Sequence, residues 1–292
     1  MPRNPSNFQE NLVEKGDPRK AIGVFDSGIG GLTVVRQIHR ILPHESTVYF
    51  GDTARVPYGP KSEKLVRRFA LQNSQFLLEE GIKAIVIACN TASSVALQTV
   101  QEHMPVPVMG VIEPGVKAAV QTTKTGKIGV IGTVGTIESE AYHQAIRRHG
   151  STFKVFGQAC PLFVPLAEEG WVDRRPTLLI AEAYLTPLKK QNIDTLILGC
   201  THYPLLKLVI SKVMGPDITL IDSAEETARE LRALLQKREL LRRHREDARR
   251  TYYVSDVPHR FREVAERFLG NSLGSVERVD IEKYENPKKD IL

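Results

Sequence analysis

The sequence predicts an α/β protein built from two pseudo-symmetric, doubly wound domains, each on a central parallel sheet, with the functional cleft between them. Three observations lead there. Ile85-Val86-Ile87-Ala88-Cys89-Asn90-Thr91 and Leu196-Ile197-Leu198-Gly199-Cys200-Thr201-His202 are matched apolar runs, each ending on a cysteine followed by small polar residues. Apolar, β-branched runs of this length read as buried parallel strands, and the polar residues after them read as turns into helices. A second pair of similar stretches, Val24-Phe25-Asp26-Ser27-Gly28 and Val130-Ile131-Gly132-Thr133, stands at nearly the same offset, 106 residues against 111 for the cysteines. Near-equal offsets are the mark of an internal repeat.

Taken in order, residues 1–20 are polar, contain Pro2, Pro5, Gly16 and Pro18, and lack the apolar core of a signal peptide. They read as a disordered leader on a cytoplasmic protein. Ala21–Phe25 is a strand, Asp26–Thr33 a glycine-rich turn, and Val34–Leu42 an amphipathic helix. Glycines at such a turn let backbone N–H groups converge on an anion at the helix start. The dinucleotide fingerprint fails because Thr33 stands where its last glycine belongs, and no Gly-Lys-Ser/Thr follows for a phosphate loop. The turn suits a small carboxylate better, with Asp26 and Ser27 as polar groups at the strand end. Thr47–Phe50 is the next strand, followed by a loop with Pro57, Tyr58 and Gly59 that is too rich for a plain connector. A helix from Ser62 to about Glu80, the Cys89 strand and a helix from Thr91 to His103 complete this half. Val108–Ile112 is a further strand, and Glu113-Pro114-Gly115 reads as a boundary.

The second half repeats the plan with the strand Lys127–Ile131, a helix through Tyr142 and Arg148, Glu168-Glu169-Gly170 in a loop, and the Cys200 strand. The segment from Thr251 onward, with a helix from Arg260 to Leu269, is expected to return to the first domain. The division is therefore 21–112 with 224–292 for the first domain and 113–223 for the second.

Hydrophobic residues make up 41% of the chain and charged residues 25%, the balance of a globular protein. No apolar run reaches the length of a membrane span. The net charge of +6 arises largely in 237–250, where seven Lys/Arg face three Asp/Glu. This segment lacks interleaved aromatics and nucleic-acid signatures, so it reads as a solvated helix end and loop, and nucleic acid is not an expected partner. Three cysteines, Cys89, Cys160 and Cys200, argue for free thiols in a reducing compartment. Cys160, beside a proline in an apolar stretch, reads as packed.

Cys89 and Cys200 would sit at carboxyl ends of strands near helix N-termini, where α/β sheets hold ligands and where a thiol's pKa falls. If the two domains close over a small substrate, one sulfur reaches each face of a carbon. One thiolate removes a proton while the opposite thiol returns one, inverting the centre. His202 and Asp26 are candidates to set which sulfur is ionised. No His/Asp/Glu spacing suggests a metal and no lysine sits in a pyridoxal-type motif, so no cofactor is expected.

The stretches Gly23–Leu32, Pro57-Tyr58-Gly59, Ala88–Ser93, Gly132–Thr136, Leu198–Pro204 and Tyr252–Asp256 together resemble the bacterial glutamate racemases of the aspartate/glutamate racemase superfamily. The resemblance runs from about Ala21 to about Asp280. It implies cofactor-independent interconversion of L- and D-glutamate, supplying D-glutamate for peptidoglycan, by a cytoplasmic homodimer. Cys89 and Cys200 would be the paired base and acid, assisted by Asp26, His202 and Glu168. Ser27, Tyr58, Gly59, Asn90, Thr91, Thr133 and Thr201, with Asp26 and His202, would hold the substrate. An aspartate racemase with the same two thiols is the near alternative. A Cys200/His202 hydrolase is the distant one, and it leaves Cys89 idle.

Overall fold

The computed structural model describes residues 16–242, 248–257 and 261–284. The first half runs β1 (Ala21–Asp26), α1 (Leu32–Ile41), β2 (Thr47–Gly51), α2 (Glu63–Glu79), β3 (Ile82–Ile87), α3 (Asn90–His103) and β4 (Val108–Gly110). The second runs α4 (Ile112–Thr122), β5 (Lys127–Gly132), α5 (Val134–Glu138), α6 (Ala141–His149), β6 (Lys154–Ala159), α7 (Phe163–Glu168), α8 (Arg175–Lys189), β7 (Thr195–Gly199), α9 (Lys207–Met214) and β8 (Thr219–Asp222). The chain then returns through α10 (Ser223–Lys237), β9 (Arg250–Val254), α11 (Phe261–Leu269) and β10 (Val276–Arg278).

Two α/β domains result. One sheet has the order β10-β9-β2-β1-β3-β4 and the other β6-β5-β7-β8. Every strand pairing among the described residues is parallel. The run β2-β1-β3-β4 of the first sheet follows the same sequential order as β6-β5-β7-β8 of the second, so the internal repeat inferred from matched offsets is one of topology. β9 and β10 extend the first sheet beyond β2.

Strand alternation explains why each sheet is covered on both faces. In the first, Ile22, Val24, Ala84 and Val86 face α1, while Phe25, Ile85 and Ile87 face α2 and α3. In the second, Ile128, Val130 and Ile197 pack with α4 and α6, while Ile131, Leu196 and Leu198 pack with the α8 and α9 side. Central strands buried on two faces must be apolar at nearly every position, which is why these runs read continuously hydrophobic.

Several local expectations need correction. The strand expected over Val108–Ile112 ends at Gly110, and Ile112-Glu113-Pro114-Gly115 is the first turn of α4; the leading N–H groups of a helix have no internal partner, so a proline there costs little. The single helix expected through Tyr142 breaks into α5 and α6, with Glu140 in the left-handed region at φ 53° between them. The helix after Cys200 begins as a 3₁₀ turn, Tyr203–Leu206. Glu168, expected in a loop, is the last residue of α7. Of the leader, 1–15 lies outside the described residues. Gly16–Lys20, expected to be disordered, is held against the first domain by the Lys83 ammonium, which donates to the Pro18 carbonyl at 2.7 Å. In the basic segment, 243–247 is likewise outside the described residues, while the Arg242 N–H donates to Glu45 Oε1 at 2.8 Å.

Candidate functional site

The site forms where the carboxyl ends of β1 and β3 meet those of β5 and β7. Cys89 is the N-cap of α3, and the Ala92 N–H donates to its sulfur at 3.5 Å. Cys200 follows β7 directly. Both are nearly buried, 6% and 7% exposed, so solvent access does not distinguish them. Their surroundings do.

Cys89 faces the carboxyl group of Asp26, the last residue of β1. Burial, with the Asp26 charge adding to it, pushes the Cys89 thiol up to about 12, against the pull of the Ala92 N–H and the Ser27 hydroxyl. Cys200 contributes to the same shift, so the two sulfurs are close enough to act on one another electrostatically. Cys200 faces an imidazole instead. Its sulfur is 3.8 Å from His202 Nδ1, and His202 Nε2 is 2.8 Å from Glu168 Oε1. Burial opposes charge on His202, but the hydrogen bonds and negative charge of Cys200 and Glu168 outweigh it and hold the imidazolium up to about 10. A cation therefore stands beside one sulfur and a carboxyl group beside the other.

Asp26 connects the two halves. Its Oδ2 accepts the Gly28 N–H at 3.0 Å, while its buried Oδ1 has no hydrogen-bond partner among the described residues. Burial raises its pKa, opposed first by the charge of His202 and then by the N–H groups of Gly28, Gly31 and Ser27. The glycines of this turn are required by space. A Cβ on Gly31 would lie 2.5 Å from Asp26 Cβ, and one on Gly30 would lie 2.3 Å from Thr201 Oγ1 and 2.5 Å from the His202 ring. The first domain's turn thus rests directly on the Cys200 loop of the second.

Other candidates meet across the same seam. Thr91 Oγ1 lies 3.0 Å from Thr133 Oγ1 and 3.2 Å from Thr136 Oγ1. Gly59 packs on Thr133, which leaves 3.2 Å for a Cβ there. Asn90 Nδ2 donates to the Tyr142 hydroxyl at 2.8 Å. Ser27 is half-buried in the β1 turn, and Thr201 sits between Cys200 and His202. The Tyr58 hydroxyl turns inward, donating to Asp52, whose carboxylate also holds Arg55 at 2.8 Å and Ser255 at 2.9 Å. Its ring and hydroxyl brace the Pro57-Tyr58-Gly59 loop from within the first domain.

Sequence reading missed three contributors. Tyr142 and Thr136 lie on helices whose pattern shows only an amphipathic face. Thr33, whose hydroxyl is 2.9 Å from the carbonyls of both Gly30 and Thr201, reads as a mere helix start. Among the described residues no group of three His, Cys, Asp or Glu side chains could hold a metal ion, and no helix is long and apolar enough to cross a membrane. Cys160 is fully buried, with its sulfur donating to the Gln158 carbonyl at 3.6 Å.

Residues 22–231 match the Asp/Glu/hydantoin racemase family model. A glutamate racemase of Geobacter metallireducens is 54% identical over 265 residues, which cover 91% of this chain and 98% of that one. Among solved structures, a glutamate racemase isoform from Bacillus anthracis superposes with a TM-score of 0.87 at 45% identity, covering 90% of this chain and 98% of its own. A glutamate racemase from Francisella tularensis in complex with D-glutamate gives the same TM-score at 41% identity, covering 91% of this chain and 100% of its own.

Proposed function

The chain belongs to the Asp/Glu/hydantoin racemase family, and from that premise we propose that it is a glutamate racemase working through Cys89 and Cys200 without a cofactor. The observation that carries the reading is the placing of two thiols at equivalent strand ends of two facing sheets, with opposite electrostatic neighbours. A racemase that inverts a carbon by two opposed groups needs one protonated and the other not. The Asp26 charge disfavours a thiolate at Cys89, and the His202 imidazole, 3.8 Å from the Cys200 sulfur, is placed to exchange a proton with it. Groups whose surroundings drive their protonation apart are the usual basis of paired acid–base chemistry.

The step balances without an outside reagent. The Cys200 thiolate takes the Cα proton, the C–H electron pair stays on Cα, and the Cys89 thiol delivers its proton to the opposite face. The enzyme is left with the thiolate at Cys89 and the thiol at Cys200, the state that runs the reverse direction. A Cα proton next to a carboxylate is very weakly acidic, so the transition state needs preorganised donors and little water. Ser27, Asn90, Thr91, Thr133, Thr201 and the backbone of Tyr58 and Gly59 suit the carboxylates, and the unpartnered Asp26 Oδ1 suits the substrate ammonium. On this reading 21–112 with 224–292 and 113–223 act as two lobes around the substrate. The product would be D-glutamate for peptidoglycan, made in the cytoplasm by a homodimer.

The test is Cα hydrogen exchange in D2O with each enantiomer of glutamate, and of aspartate for comparison, on wild type, Cys89→Ser and Cys200→Ser. Racemisation of glutamate without added cofactor, with turnover lost in both variants by about 10²–10⁴-fold, is the expected result. Full turnover in Cys89→Ser would leave single-thiol chemistry at Cys200 in its place. Preference for aspartate would move the substrate assignment.

A further inference from the structure

The groups that hold His202 come from both domains, and one of them has no part in the scheme above. Glu168 ends α7, a helix of six residues in the second domain. Its carbonyl is one of the terminal acceptors a helix cannot satisfy internally. That carbonyl accepts Arg267 Nη1 at 2.6 Å, from α11 of the first domain. Arg267 is itself steadied by Glu263 Oε1, 3.2 Å from Nη2. Two residues past Glu168, Gly170 turns the chain at φ 69°, where a Cβ would lie 2.8 Å from Arg267 Cζ. The guanidinium thus fits closely into the turn after α7. Its neighbour on α11, the fully buried Phe268, sets its ring edge-on to His202, with centroids 5.0 Å apart at 79°.

We propose that Arg267 is a positioning residue that clamps the end of α7 to α11, so that the Glu168 carboxylate meets His202 Nε2 and its imidazole meets Cys200. Fixing the Glu168 backbone removes freedom from a side chain that is 38% exposed and otherwise has several rotamers open to it. Phe268 blocks one face of the swing available to the His202 ring. Other groups facing His202 are Cys200 and Thr201 on its own loop and Asp26 on β1. None of these touches Nε2, so the alignment at that nitrogen depends on Glu168, and Glu168 depends on α11. Because Arg267 and Glu168 belong to different domains, the Cys200 partner is complete only when the domains stand in this arrangement.

The inference rests on the acid–base role proposed for Cys200, and its test has one arm that needs no turnover. Arg267→Ala, Arg267→Lys, Glu168→Gln and the double variant Arg267→Ala/Glu168→Gln are compared with wild type for kcat and KM in both directions, and the His202 imidazole is titrated by NMR. Arg267→Ala is expected to lower kcat by up to about 100-fold, the scale of a misplacement of about 1 Å at a reacting group. Arg267→Lys should recover most of that loss, since an ammonium can still donate to the carbonyl. In the Glu168→Gln background, removing Arg267 should cost nothing further, and in Arg267→Ala alone the His202 titration should move down from about 10. A plain helix cap would instead lower Tm and leave kcat and the His202 titration unchanged, and that result overturns the proposal. So does an equal further loss in the double variant. Absence of glutamate turnover in wild type would refute the racemase reading, while the His202 titration still decides the clamp.

Discussion

Cys200 Sγ and His202 Nδ1 stand 3.8 Å apart, whereas the acidic neighbour of Cys89 is Asp26. The two thiols have matched positions in the fold and nearly matched exposure, so their chemical difference is electrostatic. A thiolate is the reactive form towards alkylating reagents. At neutral pH Cys89, whose thiol is pushed up to about 12, is expected to react with iodoacetamide more slowly than Cys200, whose sulfur has an imidazole beside it. The fully buried Cys160 should label last. Time-resolved peptide mass spectrometry checks the order, and Cys89 labelling first would contradict the assignment.

Gly30 is where the first domain's turn touches the loop of the second domain that carries Cys200 and His202. With a Cβ 2.3 Å from Thr201 Oγ1 and 2.5 Å from His202, Gly30→Ala must push the two apart. Neither neighbour is the free end of a long side chain, so the strain goes into the seam. Overpacking of this kind typically costs about 1–3 kcal/mol of stability. Displacing His202 by even part of an ångström should lower kcat by about 10-fold or more. Steady-state kinetics with a thermal melt separates the two effects, and unchanged kcat would show that the seam yields elsewhere.

The sequence carries the part of this site that lies within single strand–turn units. Cys89, Cys200, Asp26 and His202 are legible as candidates because each stands at or just past the end of an apolar run, where the change from buried strand to polar turn is visible. Glu168 entered only through family resemblance, because a carboxylate 34 residues before His202 gives no local sign of the pairing. Tyr142, Thr136 and Arg267 act across the seam, and their sequence neighbourhoods describe only the helices on which they ride. The helix that begins at Ile112-Glu113-Pro114-Gly115 is hidden in the sequence for a related reason. A proline in a first helical turn and one in a connecting turn look alike until the hydrogen bonds are known.

Lys83 offers a prediction at the opposite end of the strands. Its ammonium is fully buried at the start of β3, paired with Glu45 Oε2 at 2.5 Å and bonded to the Pro18 carbonyl. Burial lowers its pKa, against the hydrogen bond and charge of Glu45. Lys83→Met removes the ammonium of a buried pair and leaves Glu45 with the Arg242 N–H but without its facing charge, at a cost of up to about 3–5 kcal/mol. The pair lies at the start of a strand whose other end carries Cys89, so kcat should hold at temperatures where the variant is folded. Urea unfolding with parallel assays checks both halves, and a loss below about 1 kcal/mol would mean that water reaches Glu45.

His202 makes stability depend on pH with a defined sign. The imidazole keeps its proton up to about 10 in the folded protein, against an ordinary value of 6.5. Between those values the folded state binds a proton that the unfolded chain has released, so stability falls as pH rises. The contribution is complete below about 6.5 and is lost as pH climbs through about 10. His202→Asn removes the titrating group but keeps a polar side chain at the position. The stability gap between wild type and this variant, read from urea midpoints, is therefore expected to be widest near pH 6 and to close towards pH 10. A gap that widened with pH would mean that His202 is neutral in the fold, and the cation assigned to Cys200 would have to be withdrawn.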